Sequence, residues 1–142
     1  MPGSGGESAD RLVRYFTSSG LEGIAAVYLF GSHAEGRTHR QSDVDIGVLL
    51  DWTTYPTSAS RFDLRLRLSA DLPAILAAPA DIVILNDAPP GLGRAIVTGG
   101  TPVLLTAPGL DHAYVRDVQL RAADLKPWLE RMRRIKLQAI RG

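Results

Sequence analysis

No cysteine occurs in the 142 residues. Disulfide staples, thiolate zinc centres and cysteine nucleophiles are therefore excluded. No apolar run approaches the roughly 20 residues that span a bilayer. The opening stretch, Met1 to Ser8, is rich in glycine and serine and lacks the apolar core of a signal peptide. A cytoplasmic location with no membrane contact follows by elimination. Charge of one sign is also missing. Sixteen basic and fifteen acidic side chains leave a net +1, which excludes a globally basic nucleic-acid binder and an acidic disordered chain. Extensive nucleic-acid contact is not expected. No internal repeat and no second domain boundary are visible.

What is present is an ordinary globular composition, 45% hydrophobic and 22% charged. The length favours one domain that removes roughly 70% of its unfolded surface from water. The expected organisation is a flexible tail over residues 1–8 and a single domain over 9–142, with a C-terminal helical segment over 110–141. The near-zero charge hides a split. From Arg121 onward seven basic residues and two acids give +5, leaving −4 for the first 120 residues. Such asymmetry marks a candidate contact surface.

Along the chain, Leu12, Tyr15 and Phe16 fall at helical spacing, with Ser8 or Asp10 as candidate caps and Gly20 and Gly23 as stops. Ile24 to Phe30 is an apolar run of strand length. Asp43 to Leu50 predicts a second strand, Asp81 to Leu85 a third and Thr101 to Thr106 a fourth, the last placed at an edge by Pro102. Leu64, Leu68, Leu72, Ile75 and Leu76 line one side of a helix over 61–77, and Leu92 to Thr98 forms a shorter one. Val115, Val118, Ala122, Leu125, Leu129, Met132 and Ile135 form the apolar stripe of the last helix. Pro127 should kink that helix or start a new one. Strands alternating with helices argue for an α/β (α+β) domain with a small mixed sheet flanked by helices.

Three carboxylates carry the chemistry. Asp43 and Asp45 stand two apart on a predicted strand, so both point the same way. Like charges that close are costly unless a cation binds them, and Mg²⁺ prefers carboxylate and phosphate oxygens. Asp81 opens another strand, and if that strand is adjacent a third carboxylate reaches the same point. Gly31 and Ser32 end a buried strand before a predicted helix start, where glycine lets backbone approach a ligand and free N–H groups face a phosphate. Taken singly, an Asp-x-Asp is a solvated strand end and a Gly-Ser is a capped turn. Together they place a phosphate cradle beside a metal site.

Gly31-Ser32, ten residues, then Asp43-Val44-Asp45, with Asp81 on a later strand, resembles the DNA polymerase β-like nucleotidyltransferases. The short length and the stretches GSHAEGRTHRQSDVDIGVLL and DIVILNDAPPGLGRAIVTGGTPVL resemble the minimal nucleotidyltransferase (MNT) branch. Members of that branch are often antitoxins paired with HEPN-domain ribonuclease toxins. The resemblance implies that Gly31 and Ser32 bind the triphosphate of the donor and that Asp43 and Asp45 hold two Mg²⁺ ions. It implies that Asp81 completes the acceptor-side metal and helps deprotonate the attacking hydroxyl. ATP is then the donor and a tyrosine of a HEPN toxin the acceptor. The sequence departs from the family at His33, where arginine is common, and at Glu35, where a second basic residue is frequent. Arg37 is the substitute phosphate contact. His33 and His39 read as solvated loop histidines.

The remaining features have plainer readings. Arg61, Arg65 and Arg67 read as a solvated helix face. Trp52 and Tyr55 either stack on a base or cover the core. The apolar stripe of the last helix reads for most of its length as packing on its own sheet, but beyond Pro127 a basic amphipathic segment (Trp128, Leu129, Met132 and Ile135 with Arg131, Arg133, Arg134 and Lys136) suits a partner groove, an acidic partner surface or RNA. Two other functions stay open: a stand-alone transferase acting on a small molecule or an RNA end, and a module that neutralises a toxin by binding alone.

Overall fold

The chain was analysed as a computed structural model that describes residues 4–31 and 43–141. Its elements run α1 (Ser4–Ser18), β1 (Ile24–Phe30), β2 (Val44–Leu50), α2 (Ser58–Leu76), β3 (Ala80–Ile84), α3 (Pro90–Gly99), β4 (Thr101–Leu105) and α4 (Pro108–Arg141). The four strands form one mixed sheet in the order β3-β2-β1-β4. β1 pairs antiparallel with both β2 and β4, while β2 and β3 are parallel. β4 is an edge strand, as Pro102 implied, and β3 is the other edge.

Helices cover both faces, which is why the strands read as nearly continuous apolar runs. On one face Val27, Leu29, Val44, Ile46, Val48, Ile82 and Ile84 pack with Leu12 and Phe16 of α1 and with Leu64, Leu68, Leu72 and Leu76 of α2. On the other, Ala26, Tyr28 and Leu49 pack with Ile96 of α3, flanked by Leu110 and Tyr114 of α4. Gly47 lies beneath α3, and a Cβ there would stand 2.9 Å from the Ile96 side chain.

Local signals explain the element ends. α2 starts three residues before its expected Arg61, because Thr57 and Ser60 form a reciprocal capping box. It stops at Ala77, whose φ of 54° is left-handed, before Pro79. Gly20 and Gly23, both at positive φ, follow α1. That helix begins at Ser4, inside the stretch expected to be tail. Glu7 in its first turn faces the positive end of the helix dipole and pairs with Arg11 at 2.6 Å. α4 is assigned as a single helix from Pro108 to Arg141, so Pro127 does not start a new element. Among the described residues no helix is long and apolar enough to cross a membrane.

Two polar devices tie the layers together. The Asn86 side chain accepts from the Leu50 amide at 2.8 Å and donates to the Leu50 carbonyl at 2.9 Å, closing the end of β2. The buried Tyr28 hydroxyl donates to Asp111 at 2.5 Å, anchoring α4 to the middle of the sheet. Burial, then the Asp111 hydrogen bond, pushes the Tyr28 hydroxyl pKa up.

Candidate active site

The sheet order brings the sequence-predicted residues to one end. β1 delivers Gly31 just beyond Phe30, which pairs with Asp45. On its other side Asp45 pairs in register with Asp81, and Val44 with Ala80. Adjacent strands lie about 4.8 Å apart, and residues paired in register share a face. The Val44 amide donates to the Pro79 carbonyl at 2.8 Å, fixing the entries of β2 and β3 side by side. Val44, Ile46 and Ile82 occupy the α1/α2 face, so Asp45 and Asp81 fall on the opposite face by strand alternation. Asp43 directly precedes β2. Asp43 and Asp81 are exposed, and Asp45 is half-buried.

Gly31 has a φ of +74°, a region that side chains with a Cβ rarely adopt. A Cβ there would stand 3.3 Å from the Asp45 carboxyl carbon and overlap its Oδ2 oxygen. The glycine is therefore required twice, by backbone conformation and by the approach of the carboxylate. The result is a strand end whose backbone lies directly against a candidate ligand.

Among the described residues no three carboxylate or imidazole side chains stand close enough to hold an ion together. The trio is an alignment of positions rather than a formed cage. It still matches what Mg²⁺ asks for, since that ion uses one or two carboxylates and takes its remaining oxygens from phosphates and water. The donor set is all oxygen, with no cysteine in the chain. Ser32, His33, Arg37 and His39 lie outside the described residues.

Residues 12–107 match the family model described as polymerase beta, nucleotidyltransferase. The chain belongs to this nucleotidyltransferase family. Over 77 residues it is 37% identical to the protein adenylyltransferase MntA of Shewanella oneidensis, a match covering 54% of this chain and 51% of that protein. The chain thus spans about half the length of that curated relative. Among solved structures, a toxin–antitoxin complex with AMP-PNP has a chain that is 22% identical, with a TM-score of 0.67. The match covers 94% of this chain and 98% of that one. A tri-AMPylated Shewanella oneidensis HEPN toxin in complex with an MNT antitoxin gives 19% identity and a TM-score of 0.64, covering 97% and 99% of the two chains. At these identities the structures establish a shared fold.

Within that nucleotidyltransferase fold, two expectations need correction. Arg61 is not part of a solvated helix face. It is buried, and its Nε donates to Asp87 Oδ2 at 2.9 Å while one terminal nitrogen donates to the Tyr55 carbonyl at 2.9 Å. The helical spacing of Arg61, Leu64 and Leu68 places it on the inward face of α2, and Asp87 in the turn after β3 supplies the compensating charge. Trp52 lies at the other end of β2 from Asp45, with the Arg61 guanidinium 4.9 Å from its ring centroid. It neither faces the carboxylates nor covers the core, being 51% exposed. Tyr55 packs against the core and donates to the Glu22 carbonyl at 2.8 Å. Arg65 and Arg67 are exposed, and the Arg65 Nε donates to the Ile82 carbonyl, one residue beyond Asp81, at 3.0 Å.

Proposed function

We infer that this chain is a Mg²⁺-dependent protein adenylyltransferase. It moves AMP from ATP to a tyrosine hydroxyl of a HEPN-family toxin, acting as the antitoxin of the pair in the cytoplasm. The observation that carries this reading is the registered pair Asp45 and Asp81 beside Gly31, whose missing Cβ lets the phosphate-binding turn meet a carboxylate. The half-length match to a protein adenylyltransferase and the structural likeness to antitoxin chains agree with it.

In this reading the Gly31 and Ser32 backbone and the Ser32 hydroxyl bind the triphosphate, with Arg37 as a further phosphate contact. Asp43, Asp45 and Asp81 would hold two Mg²⁺ ions, whose charge would offset that developing on the attacking and leaving oxygens. The tyrosine oxygen forms a bond to the α-phosphorus as the bond from that phosphorus to the bridging oxygen of pyrophosphate breaks. Asp81 takes up the hydroxyl proton, and pyrophosphate leaves. Asp81 is suited to this role because it is exposed and lies on an edge strand, with no strand beyond β3 among the described residues.

The test combines α-labelled ATP, Mg²⁺ and the product of the neighbouring gene, which this reading expects to be a HEPN protein. Label should appear on the HEPN protein with the wild type and be lost with Asp43→Ala and Asp45→Ala. A melting curve on each variant separates loss of transfer from loss of fold, Asp43 being exposed and Asp45 half-buried. If the HEPN protein is never labelled yet is still neutralised by both variants, inhibition is by binding and the chain is not its modifying enzyme.

A further inference from the structure

The open edge of β3 carries a feature that the proposed transfer does not use. A groove of about 590 Å³ runs along it, between α2 and the start of α3. Phe62, Arg65, Ile82, Ile84 and Leu92 are among its lining residues. Phe62 is 51% exposed, Leu92 42% and Leu66 53%, the last one helical turn from Phe62. These are three of the six large apolar side chains exposed among the described residues; Phe62 and Leu92 line the groove, and Leu66 follows Phe62 on α2. Isolated exposed apolar residues need no explanation, but a cluster lining a groove marks a contact site. Arg65 supplies one polar handle. Its Nε is bonded to the Ile82 carbonyl, and its terminal nitrogens have no partner among the described residues.

We propose that this groove docks the acceptor protein, seating an apolar or aromatic side chain between Phe62 and Leu92 and a carboxylate or carbonyl on Arg65. The proposal rests on the transferase reading, because the position of Asp81 selects the occupant. β2, bearing Asp45, fills one side of β3 and no strand covers the other among the described residues, so a hydroxyl carried by a folded protein reaches the exposed Asp81 from that flank. A specific interface covers about 800 Å² per partner, a patch roughly 16 Å in radius. The groove starts at Ile82, the residue after Asp81, and Ile84 is only about 7 Å further along the strand. A protein that presents its hydroxyl at Asp81 therefore covers this groove. RNA suits it poorly, since among the described residues Arg65 is the one lining cation, against Asp87, which is already paired with Arg61.

The test uses the full chain and the purified HEPN protein. Phe62→Asp and Leu92→Asp alter exposed side chains, so the fold should survive, as a melting curve checks. Leu105→Asp, on the opposite edge strand, is the control. The Kd for the HEPN protein should rise about tenfold or more in both groove variants, the usual effect of removing an interface anchor. The KM for that acceptor should rise in parallel, with kcat at saturation and the KM for ATP unchanged, and the control should match the wild type. Unchanged Kd in the groove variants, an equal loss in the control, or a change confined to self-association of the chain would overturn the proposal. If the wild type binds the HEPN protein without labelling it, the transfer reading fails. The groove is then judged on Kd alone, by the same outcomes.

Discussion

Gly31→Ala tests the close approach of the Gly31 backbone to the Asp45 carboxylate. Two costs are expected, and the structure separates them. The first is conformational. At a φ of +74° an alanine meets the left-handed penalty, about 1–2 kcal/mol. Gly20 has the same φ of +74° but nothing within 4 Å of its would-be Cβ, so Gly20→Ala carries that cost alone. The second is steric. At Gly31 the new methyl overlaps Asp45 Oδ2, and the carboxyl carbon would be 3.3 Å away. The carboxylate must swing aside, by something on the order of 1 Å, and a misplacement of that size costs about 100-fold in rate. Both variants should melt a few degrees lower, by about 3–4 °C per kcal/mol. Only Gly31→Ala should lose roughly 100-fold in AMP transfer and bind Mg²⁺·ATP more weakly, as read by calorimetry. Equal transfer rates in the two variants would refute the claimed contact between Gly31 and Asp45.

Two further outcomes follow from the packing. Arg61→Ala should destabilise the fold by about 2 kcal/mol in chemical denaturation. Arg61 is 8% exposed and its partner Asp87 42%, so Asp87 can rehydrate and the loss falls short of that for a fully buried pair. A loss below about 0.5 kcal/mol, the range of neutral surface changes, would show that the pair is ornamental. Alkali should unfold the protein through its tyrosines. Burial pushes the hydroxyls of Tyr15 and Tyr114 up from 10 to about 12. A raised folded pKa means that the protonated form is favoured in the native state. The contribution is then complete below pH 10 and is lost as pH rises through about 12. Melting temperature should be flat with respect to tyrosine ionisation up to pH 10 and then fall. Tyr15→Phe should flatten part of that fall, since Tyr15 also donates to Asp71 at 2.7 Å.

The correction at Arg61 and two bonds that no sequence pattern signals share one cause. Arg61 carries a full charge, and residue type alone points it to water. Only its position on α2, in line with Leu64 and Leu68, and an aspartate 26 residues away make burial tolerable. The bond from Tyr28 to Asp111 spans 83 residues and has no local signal in either partner. Nor does the bracket that the Asn86 amide makes on Leu50. Long-range polar pairs obey no periodicity, so they become visible only when the layers are assembled.

The sequence by itself determined the four strands, the helices between them and the residues able to do chemistry. Apolar runs must be buried, glycine and proline interrupt the chain, and carboxylates beside a Gly-Ser turn suit a cation. It could not determine whether Asp81 joins Asp45, because that depends on which strand neighbours which. The tertiary structure decided this by setting β3 parallel to β2 with Asp45 and Asp81 in register. It also left β3 at the sheet's edge, with a groove along Ile82–Ile84 next to Asp81. Strand order is a non-local choice, fixed by how the two helical layers cover the sheet, and here it turns separate aspartates into one candidate site with an approach.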